Sequence, residues 1–234
     1  MSSGPVGILM LETRFPRPLG DIGHPDTFAF PTLKQVVRTA SPDRVVRQDA
    51  STLLPEFIRA GEDLIAAGAT TLTTSCGFMV KYQADLAAAL SVPVATSSLL
   101  QIPSVSQMLP NGKRVGVLTI AASALGPDHL RAAGAPLDTP IGTTEGGRTF
   151  TEAILSDAED FDLGAARDDN VDAARQLLVD HPEVGAIVLE CTNMGPYAAD
   201  IAEATGLPVF SIVTLVNWLT QSCKPERLSR PIGR

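Results

Sequence analysis

The sequence predicts an α/β fold made of two lobes around largely parallel sheets. Three observations carry this: strand-like and helix-like segments alternate along the chain, the strand-like segments are short apolar runs, and the two halves of the chain repeat each other. Val6 to Leu11 (VGILML), bounded by Gly-Pro and by charged residues, reads as a buried strand of a parallel sheet. From Glu12 to Pro31 four prolines and two glycines predict a long irregular loop, a length more often functional than decorative. Thr52 to Ala67 carries apolar residues at helical spacing and stops before Gly68. Thr70 to Thr74 is β-branched and reads as a strand, Val80 to Leu90 as a helix, Val92 to Thr96 as a strand, and Ser98 to Met108 as a helix interrupted by Pro103.

After the turn signal Pro110-Asn111-Gly112, Arg114 to Ile120 (RVGVLTI) reopens a strand. Helices are predicted over Ser123–Ala133, Thr151–Leu155 and Ala165–Asp180, a strand over Val184–Leu189, a helix over Tyr197–Thr205, a strand over Pro208–Ser211 and a last helix over Val213–Ser222. Laying Cys76 on Cys191 aligns residues 76–100 with 191–215 without a gap, and ten of the 25 pairs are identical, among them Met79/Met194, Tyr82/Tyr197, Asp85/Asp200 and Pro93/Pro208. Val6-Gly7-Ile8-Leu9 likewise matches Val115-Gly116-Val117-Leu118. Two copies are too few for a solenoid, so the halves, residues 1–111 and 112–234, are expected to form two lobes related by a pseudo-two-fold axis; the lobes could exchange elements, the C-terminal helix packing on the first.

Composition narrows the function. The 234 residues are 44% hydrophobic and 19% charged, which describes a globular chain. A net charge of −8 with no basic run speaks against nucleic acid and anionic membranes as partners. No apolar run is long enough to span a bilayer and the N-terminus lacks the basic flank of a secretion signal, so a cytoplasmic protein is expected. Three cysteines without CxxC or Cys/His spacing predict neither a disulfide scaffold nor a metal site.

Cys76 and Cys191 each sit where a predicted strand ends and a helix begins, the crevice position at which open α/β sheets bind ligands. A helix N-terminus offers unpaired N–H groups that lower a thiol pKa and attract a carboxylate. One cysteine per lobe would face a substrate from opposite sides, as a thiolate base and a thiol acid.

The paired units LTTSCGF and VLECTNM in a two-fold repeated chain resemble the aspartate/glutamate racemase superfamily, which includes hydantoin racemases, maleate isomerases and arylmalonate decarboxylases. The resemblance covers essentially the whole chain. It implies two Rossmann-like lobes with the active site in the cleft between them, no cofactor or metal, and 1,1-proton transfer by Cys76 and Cys191. It further implies a pocket lined by Gly77, Phe78, Thr192 and Asn193, whose N–H groups face a carboxylate. Members acting on acidic amino acids often carry Asn-Thr after the first cysteine and Thr-His after the second; Gly77-Phe78 and Thr192-Asn193 depart from that and point away from glutamate.

The expected activity is therefore a cofactor-independent racemase or epimerase, an isomerase acting on an amino acid or a hydantoin-like carboxylate or carbonyl compound. Alternatives are a maleate-type cis-trans isomerase or a decarboxylase of the same superfamily, or a two-lobed binding protein without catalysis; a homodimer is expected from relatives. Arg14 in the first loop is a candidate for bidentate contact with a substrate carboxylate or else an ion pair fixing the loop. Ser75 before the first cysteine and Thr119 at the end of a strand are further pocket candidates, and Phe15 or Phe78 would take an apolar side chain. Cys223 has no counterpart in the first half and is expected to be a bystander. His24, His129 and His181 are expected on the surface or in loops, Asp21 and Glu190 as solvated or capping acids, and Tyr82 and Tyr197 as packing residues.

Overall fold

The computed structural model describes residues 4–48, 50–223 and 225. Two four-stranded parallel sheets with the same strand order organise them. The first contains β1 (Val6–Leu11), β2 (Thr32–Val37), β3 (Thr71–Thr74) and β4 (Val94–Ala95) in the order β2-β1-β3-β4. The second contains β5 (Arg114–Thr119), β6 (Ile141–Thr143), β7 (Val184–Leu189) and β8 (Val209–Phe210) in the order β6-β5-β7-β8. All pairings are parallel, with Val6 opposite Thr71 in the first sheet and Val117 opposite Val188 in the second. The central strands are buried along nearly their whole length, which is why they read as uninterrupted apolar runs.

Helices α1 (Pro42–Arg47), α2 (Leu54–Ala66), α3 (Gln83–Ala89) and α4 (Ile102–Met108) belong to the first half, and α5 (Pro127–Ala132), α6 (Phe150–Leu155), α7 (Leu163–Asp180), α8 (Ala198–Thr205) and α9 (Ile212–Cys223) to the second. In α2, Phe57, Ala60, Gly61 and Leu64 form the buried stripe, spaced three or four residues apart. In α7 the carboxylate of Asp162 caps the helix by accepting from the N–H groups of Gly164 and Ala165. Among the described residues no helix is long and apolar enough to cross a membrane.

The halves exchange their last helices. Helix α4 packs against β5 of the second sheet, whereas α9 places Ile212, Leu215 and Val216 in one buried cluster with Val6, Ile8 and Met10 of β1. Each sheet is thus covered on one face by a helix from the other half, and the carboxyl ends of both sheets are drawn together.

Several elements differ from the sequence-based expectation. Pro103 does not interrupt a helix; Ser98–Gln101 is a 3-10 turn and Pro103 occupies the first turn of α4, where its missing N–H costs nothing. The expected helix over Ser123–Ala133 starts only at Pro127. Strands β2 and β6 and helix α1 were not expected: β2 exposes Lys34, Gln35 and Val36, and β6 is three half-buried residues, so neither shows a buried run.

Because α9 roofs β1, Leu215→Ala should cost about 2–5 kcal/mol through lost burial and the cavity left behind. Urea denaturation measures this; a cost well below 1 kcal/mol would mean that α9 is not the cover of that sheet.

Candidate active site

Each sheet has its topological switch point between its two central strands, β1 and β3 in one lobe and β5 and β7 in the other, where crevices open at the carboxyl ends. The two cysteines stand at these crevices. After β3 the backbone is tied down: the Ser75 N–H donates to the Leu9 carbonyl at 2.9 Å, the Leu11 N–H donates to Ser75 Oγ at 2.8 Å, and the Thr74 hydroxyl donates to the Thr96 carbonyl at 2.7 Å. Cys76 follows in an extended conformation and opens a 3-10 helix, Gly77–Tyr82, that leads into α3. The second lobe repeats this, with Cys191 extended before the 3-10 helix Thr192–Tyr197 and α8.

The lobes meet at these turns. The Thr192 hydroxyl donates to the Ser75 carbonyl at 2.7 Å, and the Ser98 hydroxyl donates to the Leu189 carbonyl. Gly77 faces Glu190 so closely that a Cβ there would collide with the Glu190 carbonyl oxygen and Oε1. A Cβ on Gly195 would likewise strike the Gly20 carbonyl, so the long first loop is pressed onto the second cysteine turn. Between the lobes lies a narrow, nearly closed cleft of about 20 Å³, lined by both cysteines, Glu190, Arg17, Phe15 and Phe78 among others.

Both thiols are buried and their pKa values are pushed up, first by burial and then by the nearby Glu190 charge. This corrects the expectation of a helix N-terminus lowering them. The N–H groups of Phe78 and Met79 do favour the Cys76 thiolate, and that of Asn193 the Cys191 thiolate, but a short 3-10 helix does not offset the desolvation. Glu190 is buried as well. Its Oε2 accepts from the Thr119 hydroxyl at 2.7 Å while Oε1 has no hydrogen-bond partner, and burial, opposed by the Thr119 hydroxyl and the Ile120 N–H, raises its pKa to about 7.

Of the residues singled out from sequence, Ser75, Cys76, Gly77, Phe78, Cys191 and Asn193 line the cleft. Thr119 instead holds Glu190 from behind, and Thr192 spends its hydroxyl on the joint between lobes. Arg14 stands at the surface, its side chain 66% exposed, paired with Asp157 and Glu159. The cationic group in the cleft is Arg17. Its guanidinium pairs with Asp21 at 2.7 Å, donates to Thr13 Oγ1 at 2.7 Å and lies over the Phe15 ring at 4.6 Å. Asp21 is 1% exposed, and its second oxygen accepts from the Asn193 side-chain amide at 2.6 Å. Neither Asp21 nor Glu190 is a solvated acid. His129 also departs from expectation: it is buried, edge-on to the Phe78 ring at 5.0 Å between centroids, and burial, then the Lys81 charge, lower its pKa to about 4.

Sequence reasoning does not single out Arg17, and it takes Glu190 for a solvated or capping acid. The available signals were the Arg17/Asp21 spacing of four and an acid ending the otherwise apolar strand AIVLE. Asp21→Ala would strand Arg17 and leave the Asn193 amide unpaired, so a loss of about 3–5 kcal/mol is expected in chemical denaturation. A loss below 1 kcal/mol would show that this network does not hold the loop to the second lobe.

No family model matches the chain. Among curated proteins it is 27% identical over 218 residues to a dimethylsulfoniopropionate lyase of Durusdinium sp. clade D, a match covering 89% of this chain and 71% of that protein. It is 28% identical over 236 residues to dimethylsulfoniopropionate lyase 3 of Emiliania huxleyi, where the match covers 93% of this chain but only 59% of the relative. Solved structures with the same fold include allantoin racemase from Klebsiella pneumoniae (TM-score 0.63, 16% identity, 93% of this chain and 86% of that one) and a cysteine-substituted arylmalonate decarboxylase (TM-score 0.61, 16% identity, 98% of both chains). Picrophilus torridus aspartate racemase follows at a TM-score of 0.59 and 12% identity, over 97% of this chain and 96% of that one. The chain has the two-lobed α/β fold of the aspartate/glutamate racemase superfamily.

Proposed function

We propose that the protein is a thiol-dependent enzyme that removes the proton from the carbon next to the carboxylate of a small substrate. The observation that carries the proposal is the pair of cysteines, one from each lobe, lining a single narrow cleft. Arg17, fixed by Asp21, supplies the positive charge for the carboxylate, and the Asn193 and Phe78 N–H groups lie beside the sulfurs. Cys76 and Cys191 are the groups that move the proton.

The fate of the carbanion separates two outcomes. Where the substrate carries a leaving group on the next carbon, elimination follows: a thiolate takes the α-proton, the C–H electron pair becomes a C=C bond, and the bond to the leaving group breaks with its pair. From dimethylsulfoniopropionate this releases neutral dimethyl sulfide and leaves acrylate. The relatives named as dimethylsulfoniopropionate lyases, matched over about nine-tenths of this chain, support this outcome, and the Phe78 ring suits a sulfonium cation. Racemisation or epimerisation is the second reading. It is favoured by the placement of one thiol in each lobe, since a proton taken by one sulfur can be returned to the opposite face from the other.

The test is to supply dimethylsulfoniopropionate and measure dimethyl sulfide in the headspace together with acrylate by NMR. Turnover that falls by about 10²–10⁴ in Cys76→Ser and in Cys191→Ser is the expected result. Exchange of the α-hydrogen of amino acids or hydantoins in D2O, without elimination, would assign the protein to the second reading. Binding of such compounds with neither elimination nor exchange would sink both.

A further inference from the structure

Among the described residues that line the cleft, Glu190 is the buried acid that the fold leaves half unsatisfied. Thr119 holds Oε2, and Oε1 is buried without a partner beside the glycine that separates it from the first cysteine turn. The titratable groups that share its cleft are Cys76 at the end of β3, Cys191 next to it in the chain, and Arg17 of the first loop, whose partner Asp21 acts on Cys191. The charge of Glu190 acts on both thiols. In such a place two negative charges cost far more than one.

We propose that Glu190 is the proton acceptor of the thiol pair, so that the cleft carries one negative charge shared between the carboxyl and the sulfurs. The step is a transfer within the site: the S–H bond of a cysteine breaks with its pair left on sulfur, and an O–H bond forms on Glu190 Oε1. One thiolate and one neutral acid replace one thiol and one carboxylate, and the number of buried charges is unchanged. The inference rests on the thiol chemistry proposed above and adds a third group to it. In an elimination, which leaves one proton on the base cysteine at each turnover, Glu190 takes that proton and passes it out; in a racemisation it resets the pair.

The pH dependence follows with its sign. Below pH about 7 Glu190 is protonated, the site is neutral, and a thiolate forms by losing a proton to solvent, so thiolate content rises with pH. Above pH about 7 the single charge is already present, and forming more thiolate requires a second buried charge. The rise then stops, well before the thiols' own raised pKa values.

The experiment needs no substrate, so it fails or succeeds independently of which reaction the protein catalyses. In a Cys223→Ser background, which removes the exposed thiol, iodoacetamide labelling rates of Cys76 and Cys191 are followed by mass spectrometry from pH 5.5 to 9. The expected profile climbs to about pH 7 and levels off. In Glu190→Gln, whose amide oxygen still accepts from Thr119, the break disappears and labelling keeps climbing, by roughly a hundredfold between pH 7 and 9 at tenfold per pH unit. Thr119→Val, which removes the donor to the carboxylate, should move the break to higher pH. A wild-type profile without a break, or a break that survives Glu190→Gln, would overturn the proposal.

Discussion

The joint between Gly77 and Glu190 is the constraint on which the rest of the site depends. It requires the first cysteine turn to lack a side chain at the point where it meets the second lobe, and it closes the cleft enough to bury both sulfurs and a carboxyl group together. The hydrogen bonds from Thr192 to Ser75 and from Ser98 to Leu189 hold the same joint from either side. The exchanged helices α4 and α9 keep the sheets from sliding apart. Two lobes that are individually ordinary α/β units thereby make a site that neither contains alone.

Burial at this joint decides the electrostatics. A helix N-terminus in solvent would activate a thiol, but here the turn is a single 3-10 segment and desolvation prevails, so both cysteines rest as thiols. Such a site must make its base during the reaction, from groups that exchange protons without adding charge. Arg17 does not relieve that cost, because among the described residues its guanidinium makes its ion pair with Asp21 and none with Glu190. That leaves the carboxyl of Glu190, which forms no ion pair among the described residues, as the group able to trade a proton with sulfur.

The architecture was legible in the chain because its central strands are buried on both sides and therefore read as apolar runs, and because the repeat marked Cys76 and Cys191 as equivalent. Edge strands β2 and β6 left no such trace, since an edge strand with exposed Lys34 and Gln35 or a three-residue strand containing Gly142 has no period to find. The cleft residues contributed by the long loop were misplaced by three positions: Arg14 and Arg17 look alike in sequence, and only the fold of the loop turns one outward to Asp157 and the other inward to Asp21. The contact between Asp21 and Asn193 spans 172 residues, and the raised thiol pKa values depend on both lobes at once. No local pattern encodes either.

Paired-thiol chemistry requires that Cys76 and Cys191 face one another across a shared cleft. A short bifunctional thiol reagent such as 1,3-dibromoacetone tests it directly on the protein with Cys223→Ser. The expected product is a single three-carbon bridge joining the peptides that contain Cys76 and Cys191. Separate modification of the two cysteines, with no bridged peptide, would contradict a common cleft and with it the paired-thiol chemistry.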